Sequence, residues 1–178
     1  MKTVVNAGLS VLAIALASMS GQAQAVVAEH TVVSNSVNYC QAFTPGPANT
    51  IRNRVIGAEN VGATMNVACN FPLINNGAAG GTVSTELEVW FSNNGTSPVT
   101  VSCTLLTGFQ GDSSSYAVTK SVAIPVGTAQ RFLSWAAADN PAAGATSLGN
   151  SLVGINCSMP TNAVINDTYV YWNMDNGV

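Results

Sequence analysis

Two stretches of this chain alternate apolar and polar residues with a period of two, the pattern of a strand with one buried face. In the first, Val83, Thr85, Leu87, Val89 and Phe91 fall on one side, and Ser84, Glu86, Glu88 and Trp90 on the other. In the second, Val99, Val101, Cys103 and Leu105 face one way and Thr100, Ser102 and Thr104 the other. A slip of one residue would turn every side chain over, so parity defines a core: Leu87, Val89, Phe91, Val99, Val101 and Leu105, joined by Val153 and Ile155 from a third alternating run. Between the first two runs stands SNNGTSP, whose Asn94-Gly95 pair suits the positive φ values of a tight turn. The two runs are therefore expected to pair as a hairpin. Less regular strands are expected at 63–69, 116–124, 129–135 and 163–172. Helical spacing is nearly absent, because Gly, Asn, Pro or Thr interrupts every candidate segment. The expectation is an all-β chain, a two-sheet antiparallel β-sandwich of jelly-roll or immunoglobulin-like type.

The N-terminus has a different grammar. Lys2 is followed by an apolar run from about Leu9 to Ala17 and then by small and polar residues, the order of a secretory signal peptide. Ala23 and Ala25 provide the small-x-small pattern that a signal peptidase requires, so residues 1–25 are read as the signal and 26–178 as one domain. The apolar run is short for a hydrocarbon core of ~30 Å, and no membrane anchor is expected. A secreted or periplasmic location follows.

Cys40, Cys69, Cys103 and Cys157 all lie beyond the expected cleavage point. An even count in an oxidising compartment argues for two disulfides, and three connectivities are possible. Sequence proximity and setting favour Cys40 with Cys69 and Cys103 with Cys157. Cys103 and Cys157 sit mid-way along the apolar sides of alternating runs, whereas Cys40 lies in a turn-rich N-terminal segment. A zinc site would need closer spacing or more imidazole than the lone His30 supplies.

Past residue 25, four basic residues (Arg52, Arg54, Lys120, Arg131) stand against eight acidic ones, a formal charge of −4. Nucleic acid is a poor partner for such a surface, since its recognition draws on clustered Lys and Arg. The combination of the signal, YCQA, VACNFPL, VSCTL, GINCSMP and the aromatic-rich INDTYVYW resembles small secreted bacterial disulfide-bonded β-sandwich proteins. That resemblance implies the fold and the two disulfides, and it implies no activity.

Candidate chemistry is sparse. Glu86 and Glu88 share a strand face at about 6.5 to 7 Å, a separation usable for acid and base work on a glycosidic bond, but their alternation with Leu87 and Val89 reads as a solvated surface. Trp90 on the same face makes a carbohydrate platform the better reading, because an indole plane stacks on a sugar while carboxylates accept its hydroxyls. His30 would have to serve as the base of any triad and lies where the chain is expected to fray. Asp112, Asp139, Asp167 and Asp175 each sit beside Asn, Ser or Gly without the spacing of a calcium loop. Gly77, Gly80 and Gly81 have no following lysine and read as a turn. No catalytic residues, metal or cofactor are assigned. The leading expectation is a non-catalytic exported protein with a binding or surface-associated role, with extracellular or cell-wall carbohydrate as the first partner to test. A fibre or pilus-like subunit is the alternative, against which the poor alternation of residues 26–37 counts. A secreted hydrolase is third.

Overall fold

The structure is a computed structural model and describes residues 27–43, 46, 50–72, 83–107, 115–149 and 152–175. The expected signal peptide, the glycines at 77, 80 and 81, and Asp112 lie outside these residues. The strands are β1 (Val27–Asn35), β2 (Cys40–Ala42), β3 (Ile51–Arg54), β4 (Gly57–Asn60), β5 (Met65–Pro72), β6 (Val83–Asn93), β7 (Val99–Thr107), β8 (Tyr116–Ile124), β9 (Gly127–Ala136), β10 (Leu152–Met159) and β11 (Ala163–Asp175). Single turns of 3-10 helix at Ser36–Asn38 and Ala137–Asp139 complete the regular structure.

Two antiparallel sheets form. The larger runs β3-β4-β11-β6-β9, with β1 also paired to β11, and the smaller runs β2-β5-β10-β7-β8. Strands β4 to β11 thus interleave as 4-11-6-9 over 5-10-7-8, the jelly-roll order. Within it most connections cross from one sheet to the other, and β7–β8 is the exception.

That topology corrects one sequence expectation. The runs at 83–91 and 99–105 do not form a hairpin: β6 lies in the larger sheet and β7 in the smaller, and their buried faces meet across the core. Alternation assigns a buried face without saying whether two such faces sit side by side or opposite each other. Residues 94–98 form a bridge between the sheets. Asn93 Oδ1 accepts from the Gly95 N–H at 2.8 Å, Asn93 Nδ2 donates to Ser97 O at 2.8 Å, and the Asn94 N–H donates to Asn162 O at 3.0 Å.

The parity itself holds. Leu87, Val89, Phe91, Val101, Leu105, Val153 and Ile155 are buried, and Val99 packs half-buried against them. It fails at the start of β6, where the register with β11 shifts between Tyr171 and Trp172 and Ser84 turns inward. The N-terminal strands β1 to β4 went unread because their alternation is weak, and His30 is held in β1 opposite Trp172 instead of fraying.

Both disulfides form as paired in the sequence reading. Cys40 stands directly opposite Cys69, and Cys103 opposite Cys157, so each links neighbouring strands of the smaller sheet on its core face.

Glu59 of β4, 1 % exposed, gathers the hairpin β3–β4 and the sheet-to-sheet bridge. Its Oε2 accepts from Arg52 Nη2 at 2.7 Å and Arg54 Nε at 2.5 Å, and its Oε1 from Asn94 Nδ2 at 3.0 Å. Burial alone would raise the Glu59 pKa, but the hydrogen bonds from Arg54, Asn94 and Arg52 outweigh it and the pKa falls below its ordinary value. At Gly57, with φ +147°, a Cβ would collide with the Ile165 carbonyl, so the turn into β4 requires glycine.

The two long sides of the sandwich differ. Between β8 and β9, Lys120 Nζ donates to Ser134 O at 2.7 Å and pairs with Asp139 at 2.8 Å, and Trp135 Nε1 donates to Val118 O at 3.1 Å. These contacts tie that side together. Between β1 and β5 an apolar cleft of about 230 Å³ stays open, lined by Val32, Tyr39, Phe71, Val170 and Trp172.

Two outcomes follow. Replacing Cys103 and Cys157 together by Ala should lower the unfolding free energy by about 4 kcal/mol, and replacing Cys40 and Cys69 should cost less, because the loops closed span 54 and 29 residues. Urea titration of the two double variants ranks them. Because the folded Glu59 pKa is depressed, its contribution to stability is present above the unfolded carboxylate value and is lost as pH falls through the folded one. Urea midpoints measured from about pH 5 down to about pH 2 should fall less for Glu59→Gln than for wild type.

Candidate functional site

Once the jelly roll is assembled, the outward residues of β9, β6 and β11 come together on the solvent face of the larger sheet. Trp90 lies directly opposite Phe132 of β9, and Glu88 is flanked by Ser134 on one side and Tyr169 of β11 on the other. Glu86 stands opposite Tyr171. Glu86, Glu88 and Trp90 therefore share one face, as the sequence reading placed them.

The aromatic rings form a continuous row. Trp90 stacks on Phe132 with centroids 4.7 Å apart and meets Tyr169 at 5.9 Å, and Tyr169 stacks with Tyr171 at 6.5 Å. Trp90 is half-buried by these neighbours, whereas Phe132 is 44 % exposed at the outer end of the row. The carboxylates run alongside. Glu88 Oε2 accepts from Trp90 Nε1 at 3.0 Å and from the Tyr171 hydroxyl at 3.4 Å, and Glu86 accepts from the Ser134 hydroxyl. Partial burial raises the Tyr171 pKa, and the Glu88 carboxylate that accepts its hydrogen bond raises it further.

The outer face of the smaller sheet is chemically different. There Thr104 and Thr119 hydroxyls bond at 2.8 Å and Ser121 donates to Ser102 at 2.9 Å, a ladder of short polar side chains. One fold thus carries a hydroxyl face and an aromatic face. The core requires neither, being filled from the inward positions.

The other singled-out residues do not join the row. His30 stacks on Trp172 at 5.8 Å on the inner side of β1, and its Nε2 is buried without a hydrogen-bond partner among the described residues. Asp139 pairs with Lys120, and Asp167 sits in an irregular stretch of β11 where burial raises its pKa. Phe132, Ser134, Tyr169 and Tyr171 were not singled out from sequence. They fall in the less regular strands expected at 129–135 and 163–172, but only the sheet order shows that three strands separated by up to about eighty residues lie side by side.

No family model matches the chain, and no curated protein matches it. Three solved structures match it at low similarity. One is described as "CBM4 structure and function", with 8 % identity, a TM-score of 0.34, and coverage of 79 % of this chain and 81 % of that one. Another is TmCBM61 in complex with β-1,4-galactotriose, with 9 % identity, a TM-score of 0.31, and coverage of 82 % and 84 %. The third is the enzymatically active domain of tailspike protein 4 of bacteriophage CBA120, at 15 % identity and a TM-score of 0.32, where the match covers 82 % of this chain but 19 % of the other.

The packing of the row predicts its energetics. Trp90→Ala should lower the unfolding free energy by about 1 to 3 kcal/mol, because it removes a half-buried ring touching Phe132 and Tyr169 and frees the Glu88 carboxylate from its indole donor. Phe132→Ala should cost less. Thermal melts of the two variants check the order.

Proposed function

We propose that the protein is an exported, non-catalytic binding module that takes a carbohydrate chain along the outer face of its larger sheet. The observation carrying this reading is the row Phe132, Trp90, Tyr169 and Tyr171 flanked by Glu86, Glu88 and Ser134, whereas the outer face of the opposite sheet carries the Thr104–Thr119 and Ser102–Ser121 hydroxyl pairs. Apolar ring surface meets the C–H faces of a sugar, and the carboxylates accept from its hydroxyls. A flat, open face favours a chain that lies across it over a small molecule that needs enclosure. The two carboxylates are engaged by their own neighbours on an open surface, which supports a role as acceptors over one as an acid and base pair.

The fibre-subunit reading has less support. The eight-strand jelly-roll order is complete among the described residues, with β11 occupying the centre of the larger sheet, so no strand of the jelly roll itself is missing and in need of donation.

Affinity electrophoresis through gels containing a panel of plant, fungal and bacterial polysaccharides tests the proposal. The wild type should be retarded by at least one polysaccharide. Phe132→Ala should weaken that binding about tenfold, the equivalent of about 1.4 kcal/mol, while Leu106→Ser on the opposite face should leave it unchanged. Absence of retardation on every polysaccharide would overturn the reading.

A further inference from the structure

Among the described residues, each sheet edge but one carries a guard of the same kind against pairing with another chain. Strand β3 presents Arg52 and Arg54, β8 presents Lys120, β9 presents Arg131, and β2 is three residues long. Cationic side chains and short length are the usual devices that keep an edge from acting as a template. Strand β1 has only the anionic Glu29, near its N-terminal end. It is nine residues long, contains no Lys, Arg or Pro, shows no register shift against β11, and pairs with no other strand among the described residues. Val32 is 43 % exposed and Val33 56 % exposed on it.

The inner side of this edge is also unfinished. His30, Val32 and Ser34 alternate toward the core opposite Trp172, Val170 and Thr168, and beyond them the cleft lies open between β1 and β5. A further strand beside β1 would roof that cleft with its own inward side chains.

We propose that β1 pairs antiparallel with β1 of a second copy across a two-fold axis at Val32, joining the two larger sheets into one. The sequence of β1 complements itself in that register. Val32 meets Val32, Thr31 meets Val33, His30 meets Ser34, and Glu29 meets the uncharged Asn35, so no like charges oppose and inward residues stay opposite inward ones. The exposed tip of the β3–β4 hairpin limits the lane: Val55 O accepts from Asn35 Nδ2 at 3.0 Å, so the free edge ends there and a long slip in register is blocked. Such a contact is isologous and closes at two copies, giving a dimer and no fibre. The axis stands perpendicular to the joined sheet, so both outer faces end on one side of the assembly, whatever they bind.

Sedimentation equilibrium of the purified protein decides the matter. The wild type should be dimeric at concentrations of tens of micromolar, on the order of the affinity a small interface reaches. Val32→Lys sets two cations directly across the axis and should weaken association about 100-fold or more while leaving the melting temperature close to wild type. Oxidised Val32→Cys should run as a covalent dimer on non-reducing gels. Hydrogen exchange over Ala28–Asn35 supplies a reading free of substitutions, slowing as protein concentration rises if the edge is paired. A wild type that stays monomeric with concentration-independent exchange overturns the proposal, and so does a folded Val32→Lys that remains dimeric. Failure of polysaccharide binding would leave this result untouched, since Val32 faces the inner side of β1 opposite Val170, whereas the aromatic row lies on the outer face of the sheet.

Discussion

Strand β11 is the constraint on which the rest of the molecule hangs. For thirteen residues it runs through the larger sheet with β6 on one side and β4 followed by β1 on the other. Ile165, Val170 and Trp172 enter the core from it, while Tyr169 and Tyr171 leave it for the solvent face. Such a strand, rich in large side chains on both faces, cannot be assigned a buried side from its own pattern. Its register is reset twice, between Ile165 and Thr168 and between Tyr171 and Trp172, and these irregularities decide which side chains reach the core and which form the row. The first lies where Gly57 passes against Ile165 and where Ser36 Oγ donates to Ile165 O at 2.5 Å, so the N-terminal strands are fitted to the distortion.

The polar contacts gather where strands pass from one sheet to the other. Asn93, Asn94 and Glu59 hold the bridge between β6 and β7, and Asn60 Nδ2 reaches Met159 O at 2.8 Å beneath it. In a chain with 7 % charged residues, these few buried polar groups set where the sheets cross, a job apolar contacts do poorly because they have no direction. The disulfides add to this on the smaller sheet alone, fastening β2 to β5 and β7 to β10.

How much of this was legible follows from what alternation encodes. Leu87, Val89 and Phe91 could be placed inside because one face of β6 is apolar and the other is not, and Cys103 and Cys157 because each shares the apolar side of its run. The partner of β6 could not be read. Asn94-Gly95 satisfies the composition of a hairpin turn, yet here Asn93 takes up the Gly95 N–H with its side chain and the chain climbs to the other sheet. Residues 27–60 stayed opaque for a different reason: β1 lies at an edge with Val32 and Val33 both partly exposed, and β4 is buried at all four positions, so neither shows the contrast on which a period-two reading depends. Of the site, Trp90, Glu86 and Glu88 were visible because they sit on one strand. Phe132 and the two tyrosines were not, since lateral neighbours in a sheet leave no trace in the spacing along the chain.

The contrast between the two outer faces then gives the arrangement its functional weight. A jelly roll needs its inward positions filled and its outward positions soluble, and the Thr104–Thr119 and Ser102–Ser121 pairs show that short hydroxyl side chains meet the second need here. Four aromatic rings on the other face exceed that need, and Phe132, nearly half in water, gains little by burial where it stands. Rings held in line by cross-strand stacking, with carboxylates fixed beside them by the Trp90 indole and the Ser134 hydroxyl, lose little freedom when a ligand arrives. A surface ordered before it binds spends less of its contact energy on ordering, and that preorganisation is what the proposed binding role would draw on.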